Sequence, residues 1–159
     1  MRIGFGYDAH PLSTGRPLVI GGVLIPADRG PDGHSDADVL IHAIIDALLG
    51  AAAMRDIGQR FPDHDPRYKN IESTQLLASV MDDIRAAGHE PGNLDATICL
   101  QKPAIAHYIP EMQRILADAM NLSVGQIGIK ATTTEHMGFV GRGEGVAAYA
   151  VVLLKESAP

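Results

Sequence analysis

Asp8 and His10 stand two residues apart in Gly6-Tyr7-Asp8-Ala9-His10. At a strand end that spacing sends both side chains out of the same face, because strand side chains alternate with period two. Asp38, His42 and Asp46 recur at intervals of four through an apolar segment, so on a helix they form a single stripe. A lone histidine on such a helix is ordinarily a hydrogen-bonded core residue. Joined with Asp8 and His10, His42 completes a set of one carboxylate and two imidazoles that suits zinc. Three protein ligands leave the fourth position open for substrate or water, as in a catalytic rather than a structural site. A metal-bound imidazole usually gives its other N–H to a carboxylate or carbonyl, and Asp38 or Asp46 is expected to take that proton from His42.

Two further segments carry oxygen-rich chemistry. Lys130-Ala131-Thr132-Thr133-Thr134-Glu135 closes an expected strand with consecutive hydroxyls beside free amides. Such a turn suits phosphate oxygens, and Glu135 is a hard oxygen ligand for a divalent cation. Taken alone, the segment reads equally well as a strand end rich in Thr. The loop from Asp56 to Asp65 offers Asp56, Asp63 and Asp65 to sugar hydroxyls, although by itself it also reads as a solvated turn. Gly4-Phe5-Gly6-Tyr7-Asp8-Ala9 has the letters of a dinucleotide fingerprint, but that motif must open a helix, and here Pro11 follows. The Gly-x-x-x-x-Gly-Lys-Ser/Thr phosphate loop is absent from the sequence.

The elements that would hold these groups can be read from periodicity. Ile3–Tyr7 is a short strand, and Leu18–Ile20, Gly21-Gly22 and Val23–Ile25 form a tight hairpin closed by Pro26. A polar loop runs from Ala27 to Ser35. Val39, Leu40, Ala43, Ile44, Ala47 and Leu48 recur at helical spacing, predicting a helix over 36–53 with Ser35 and Asp38 as a capping box. Residues 55–70 hold Gly58, Pro62 and Pro66 and cannot be one regular element. Helices are expected over 72–87 and 110–121, and strands over 95–100, 127–132 and 146–154. The result is a single α/β (α+β) domain over 1–159, a mixed β-sheet with helices packed on one face.

Composition narrows the function. Hydrophobic residues make up 46% of the 159 positions and charged residues 20%, a globular balance. A formal net charge of -6 argues against non-specific nucleic-acid binding. It leaves a phosphorylated small substrate open, because bound cations can supply positive charge locally. Cys99 is the lone cysteine and sits in an apolar run, so a buried, inert thiol is expected. No apolar run approaches the length of about 20 residues that a membrane span needs, and strand-like sequence begins at Arg2, so no leader segment is expected. The expected location is the bacterial cytoplasm.

Taken together, Gly6–His10, Gly33–His42, Asp56-Ile57-Gly58 with Phe61-Pro62-Asp63, Lys130–Glu135, Gly138-Phe139 and Gly141–Gly145 resemble the signatures of one family. It is the 2-C-methyl-D-erythritol 2,4-cyclodiphosphate synthase family of the non-mevalonate isoprenoid pathway, and the agreement runs in order from residue 2 to 154. The resemblance implies a homotrimer with active sites between subunits. It implies zinc on Asp8, His10 and His42, and magnesium or manganese on Glu135. His34 and Thr133 match positions that hold phosphate and stabilise the transition state. Ser35, Asp56, Ile57, Gly58, Phe61, Asp63 and Asp65 match further substrate contacts. Leu100, Lys102, Pro103, Ala104, Ile105 and Ala106, with Thr132, Thr134 and Glu135, match the cytidine pocket. Phe139, Arg142 and Glu144 match a central channel proposed to take isoprenoid diphosphates. The implied reaction closes 4-diphosphocytidyl-2-C-methyl-D-erythritol 2-phosphate onto itself and releases CMP. One departure stands out: the family's lysine after the proline is Ala104 here, and Lys102 precedes Pro103. A zinc-dependent diphosphate hydrolase and a non-catalytic, metal-stapled binder of isoprenoid phosphates remain as alternatives.

Overall fold

The computed structural model describes residues 1–157, so the last two positions of the expected domain lie outside the described residues. Strand β1 (Arg2–Thr14) runs far past the predicted Tyr7, and Pro11 stays within it. The hairpin strands β2 (Leu18–Ile20) and β3 (Val23–Ile25) fall where predicted and form their own two-stranded sheet. The expected polar loop contains a short strand, β4 (Arg29–Pro31). Then follow α1 (Val39–Ala51), the one-turn α2 (Ile57–Arg60), α3 (Ser73–Ala86), β5 (His89–Cys99), α4 (Ile109–Met120), β6 (Ile127–Thr132), the one-turn α5 (Gly138–Gly141) and β7 (Gly145–Glu156).

The main sheet has the order β4-β1-β7-β5-β6. β5 and β6 are parallel and the other pairs antiparallel, so the sheet is mixed. On β7, Val146, Ala148, Ala150, Val152 and Leu154 face the helices and are buried. The opposite face is open, with Ile3, Phe5, Tyr7, Tyr149 and Val151 exposed. Cys99 belongs to that outer face and is only partly buried, because Ile98 takes the core position beside it. Burial still pushes its thiol pKa up, which disfavours the thiolate.

α1 is apolar on nearly every side, as a helix through the centre of a core must be. Its backbone lies directly on β1. A Cβ at Gly4 would strike the Ala47 carbonyl, and one at Gly6 would strike that of Ala43. These glycines, which give β1 its dinucleotide-like lettering, let helix and strand approach more closely than any side chain allows. One strand step beyond them, on the same face, come Asp8 and His10.

The predicted Ser35 cap of α1 is corrected: Asp38 caps the helix, accepting from the N–H groups of Leu40 and Ile41 at 3.1 Å each. Its carboxylate also accepts from Gly21 N at 2.9 Å and Gly22 N at 2.7 Å. Asp38 thereby pins the hairpin turn to the helix start. Burial pushes its pKa up to about 6, against the opposing pull of those amides.

A candidate metal centre and substrate cleft

Strand β1 and helix α1 bring three ligand-type side chains together. Asp8 Oδ2 lies 2.9 Å from His10 Nε2 and 3.1 Å from His42 Nδ1. The two ring nitrogens are 3.1 Å apart. Among the described residues this is the group of His, Cys, Asp and Glu arranged to hold a metal ion. Burial tends to raise the Asp8 pKa, but hydrogen bonds from His10 and His42 overcome it and hold the carboxyl well below its usual range. Burial would lower the His42 pKa, yet Asp8 outweighs it and the net shift is upward. The site therefore stabilises positive charge beside Asp8, whether carried by imidazolium or by a cation.

The donor spacing fits a divalent ion. A tetrahedral centre with bonds of about 2.0–2.1 Å sets its ligand atoms about 3.3 Å apart, and an octahedral one of similar bond length sets neighbours about 3.0 Å apart. The observed separations of 2.9–3.1 Å need little adjustment for either.

The cluster lies at the base of a cleft of about 330 Å³. Of the predicted substrate residues, His34, Ser35, Ile57, Gly58, Phe61 and Asp63 line it, joined by Gly33, Tyr68 and Leu76. Asp56 instead caps α2, accepting from Gln59 N at 3.0 Å. Asp65 is held in a two-pronged pair with Arg67, with contacts of 2.6 and 3.0 Å, and that guanidinium draws its pKa down to about 2. Asp65 does not line the cleft, and it reaches it only through its carbonyl, which faces His34 Nε2 at 3.3 Å.

The expected partner of His42 is corrected as well. Asp38 spends its carboxylate on the helix cap and the hairpin. Asp46 accepts from Ile57 N at 2.8 Å, and burial raises its pKa. His42 Nε2 meets Ser73 Oγ at 2.9 Å and Ser35 Oγ at 3.2 Å. Ser73 had no local signature, since it reads simply as a polar first residue of a helix.

The remaining predicted site residues form a second region at the same end of the sheet. β1 meets β7 at His10↔Val146, β7 meets β5 at Ala147↔Cys99, and β5 meets β6 at Cys99↔Thr132. Thr132 therefore stands three strands from His10, or about 14 Å at normal strand spacing. None of Leu100–Ala106 or Thr132–Glu135 lines the metal cleft. Leu100 and Ile105, expected as substrate contacts, are instead buried in the core. Lys102, Pro103 and Ala104 border a separate surface hollow with Arg29. Thr133 Oγ1 donates to Glu135 Oε1 at 3.0 Å, and Thr134 Oγ1 donates to the Met137 carbonyl at 2.6 Å. Glu135 and His136 hold left-handed backbones with φ of 51° and 62°, a strained pairing that residue spacing does not announce. Phe139 is exposed, and Arg142 is paired with Glu144 at 2.8 and 2.9 Å.

Fold and cluster thus define a mixed α/β protein with a carboxylate–imidazole triad that fits a divalent cation, opening onto a cleft. The family model described as the YgbB family matches residues 1–155. The chain belongs to the YgbB family. It is 59% identical over 153 residues to a Porphyromonas gingivalis protein named 2-C-methyl-D-erythritol 2,4-cyclodiphosphate synthase, covering 96% of this chain and 94% of that one. It superposes with a TM-score of 0.90 and 37% identity on a solved 2C-methyl-D-erythritol-2,4-cyclodiphosphate synthase in its CDP-bound form, covering 97% of this chain and all of that one. A bifunctional IspDF from Campylobacter jejuni matches at TM-score 0.94 and 41% identity, and this chain spans 42% of its length.

Proposed function

We propose that the protein converts 4-diphosphocytidyl-2-C-methyl-D-erythritol 2-phosphate into 2-C-methyl-D-erythritol 2,4-cyclodiphosphate with release of CMP. The observation that carries this reading is the Asp8–His10–His42 cluster opening onto the cleft, in a chain similar to synthases over nearly its whole length. A 2-phosphate oxygen attacks the β-phosphorus, and the bond from that phosphorus to the bridging oxygen of CMP breaks. A phosphate monoester is already largely ionised near neutrality, so no strong base is required. What limits the step is repulsion between anions and their alignment.

The residues divide that task. Asp8, His10 and His42 would hold zinc, since two imidazoles with one carboxylate favour it over the harder cations. Glu135, with its hard oxygens, would hold magnesium or manganese. Such ions, when bound, neutralise phosphate charge and polarise the P–O bond that breaks. His34 presents its ring in the cleft and steadies phosphate there. Thr133 offers its hydroxyl to the transferred group, and Lys102, which borders the same hollow as Ala104, takes the place of the lysine that is missing there. The polyol sits against Ile57, Gly58 and Asp63.

This division implies a homotrimer. The cluster and the Thr132–Glu135 turn are separated within one chain, so a neighbouring subunit supplies the second half of each site. The exposed apolar row of Ile3, Phe5, Tyr7, Tyr149 and Val151 supports the same reading, because soluble monomers seldom leave so contiguous a patch open. Around the three-fold axis Phe139 and Arg142 would line a channel, where an isoprenoid diphosphate would have to displace Glu144 from Arg142. Among the described residues no helix is long and apolar enough to cross a membrane, and the reading places the enzyme with the nucleotide pool of the bacterial cytoplasm.

Phosphorus NMR of the purified protein with zinc, magnesium and the cytidine substrate tests the proposal. Equimolar CMP and cyclic diphosphate are expected. CMP with a linear phosphate product would make the protein a hydrolase, and an unchanged spectrum from folded, zinc-loaded protein would make it a binding module. Sedimentation equilibrium at the mass of three chains is the expected result for the assembly.

A further inference from the structure

His42 Nε2, the ring nitrogen turned away from Asp8 and His10, points at a fully buried serine from another part of the chain. Ser73 Oγ lies 2.9 Å away and is itself 2.5 Å from Asp36 Oδ1, to which it donates. Asp36 is fixed in turn. Its Oδ2 accepts from Ser73 N at 2.9 Å and its Oδ1 from Asp38 N at 3.2 Å. Ser73 is the first residue of α3, and the nominal cap residue Glu72 makes no side-chain cap bond. Asp36 therefore caps α3 from the loop that precedes α1.

The proton order along this row is determined by its far end. Ser73 has one hydroxyl proton, and the carboxylate of Asp36 can only accept it. The Ser73 oxygen is then left as an acceptor toward His42, and Ser35 Oγ, 3.2 Å from the same nitrogen, can accept as well, so the row favours the ring proton on Nε2 and leaves Nδ1 its lone pair. Nδ1 is the atom that lies 3.1 Å from both Asp8 Oδ2 and His10 Nε2.

We propose that Ser73 and Asp36 are positioning residues that set the tautomer and orientation of His42 for metal binding through an interposed hydroxyl, in place of a direct carboxylate contact. The inference rests on the metal reading given above. It assigns Asp36 two tasks, since the carboxylate that orders Ser73 also starts α3. The arrangement therefore couples the start of α3 to the cation site. Outer partners of metal-bound histidines typically contribute about 10- to 100-fold in metal affinity.

Ser73→Ala isolates the hydroxyl, because the cap bond to Asp36 uses the Ser73 main-chain N–H and survives the substitution. Zinc affinity of unaltered and Ser73→Ala protein would be measured by chelator competition. A loss of about 10- to 100-fold is expected, with thermal unfolding of the metal-free proteins nearly equal. Equal affinity within twofold would overturn the proposal. Nitrogen-15 NMR of histidine-labelled, zinc-loaded unaltered protein gives a test that needs no variant. A His42 ring protonated at Nε2 and ligating through Nδ1 is expected, and the opposite tautomer overturns the proposal. Unaltered protein that binds no zinc would overturn the metal reading and this inference with it, whereas zinc binding unaffected in Ser73→Ala removes this inference alone.

Discussion

The Asp8–His10–His42 cluster and the Thr132–Glu135 turn occupy the same end of one sheet, yet they are built in opposite ways. The cluster stands on β1 and α1, the two elements packed backbone to backbone, and its side chains are largely enclosed. Every donor is anchored by regular structure, and His42 is held from behind by Ser73. The turn is almost wholly exposed and keeps its shape through short internal hydrogen bonds and two left-handed residues. The first region is preorganised inside one chain. The second presents hydroxyls and a carboxylate outward, as expected of groups that act on a ligand held partly by another subunit.

The contrast predicts different consequences for changes in each region. The largest effect is expected from His42→Ala, which should abolish stoichiometric zinc binding and lower turnover about 1000-fold, equivalent to the several kcal/mol that a bound cation contributes. Metal analysis with steady-state assay would show it, and retained zinc would mean that the cluster is not the metal site. Glu135→Gln should lower turnover about 100-fold, the scale of losing one preorganised electrostatic group, while zinc content and melting temperature stay unchanged. A loss of zinc in that variant would erase the distinction between the regions.

Gly6→Ala should act on the enclosed region through packing alone. Its methyl meets the Ala43 carbonyl, so α1 must shift, at a cost of about 1–3 kcal/mol in denaturant unfolding and with weaker zinc binding. Stability equal to the parent's would show that the helix contact has slack. The smallest change belongs to Lys102→Ala at the exposed edge. The Michaelis constant should rise about fivefold, near 1 kcal/mol for one hydrogen-bonding group, with turnover nearly constant. An unchanged value would remove Lys102 from substrate binding.

Much of the site was legible before the fold was known. Asp8 and His10 share a face because strands alternate, and the apolar residues around His42 mark α1 unmistakably. β1 was read too short, as Ile3–Tyr7, where the strand runs to Thr14. Pro11 stands at the last β1–β7 pair, opposite Gly145, and the β4 pairing begins at Leu12, so its missing N–H falls where one ladder ends and the next begins. The carboxylates Asp38 and Asp46 lay in the right stripe, yet each was claimed by a nearer backbone donor: a helix start and hairpin for one, Ile57 for the other.

The chain's own periodicities and residue chemistry were enough to choose an α/β fold and a carboxylate–imidazole metal set, and they left a phosphorylated substrate open; the substrate itself came from the family resemblance. The Asp8–His10 spacing and the apolar stripe that carries His42 are local, where geometry follows directly from spacing, whereas joining His42 to that pair rested on ligand chemistry. Which hydroxyl orders His42, how close α1 lies to β1, and the distance between the cluster and the Thr132–Glu135 turn were decided by packing. Ser73 is 31 residues from His42 and Thr132 is 122 residues from His10, and no local pattern constrains groups that meet only when the sheet and helices close.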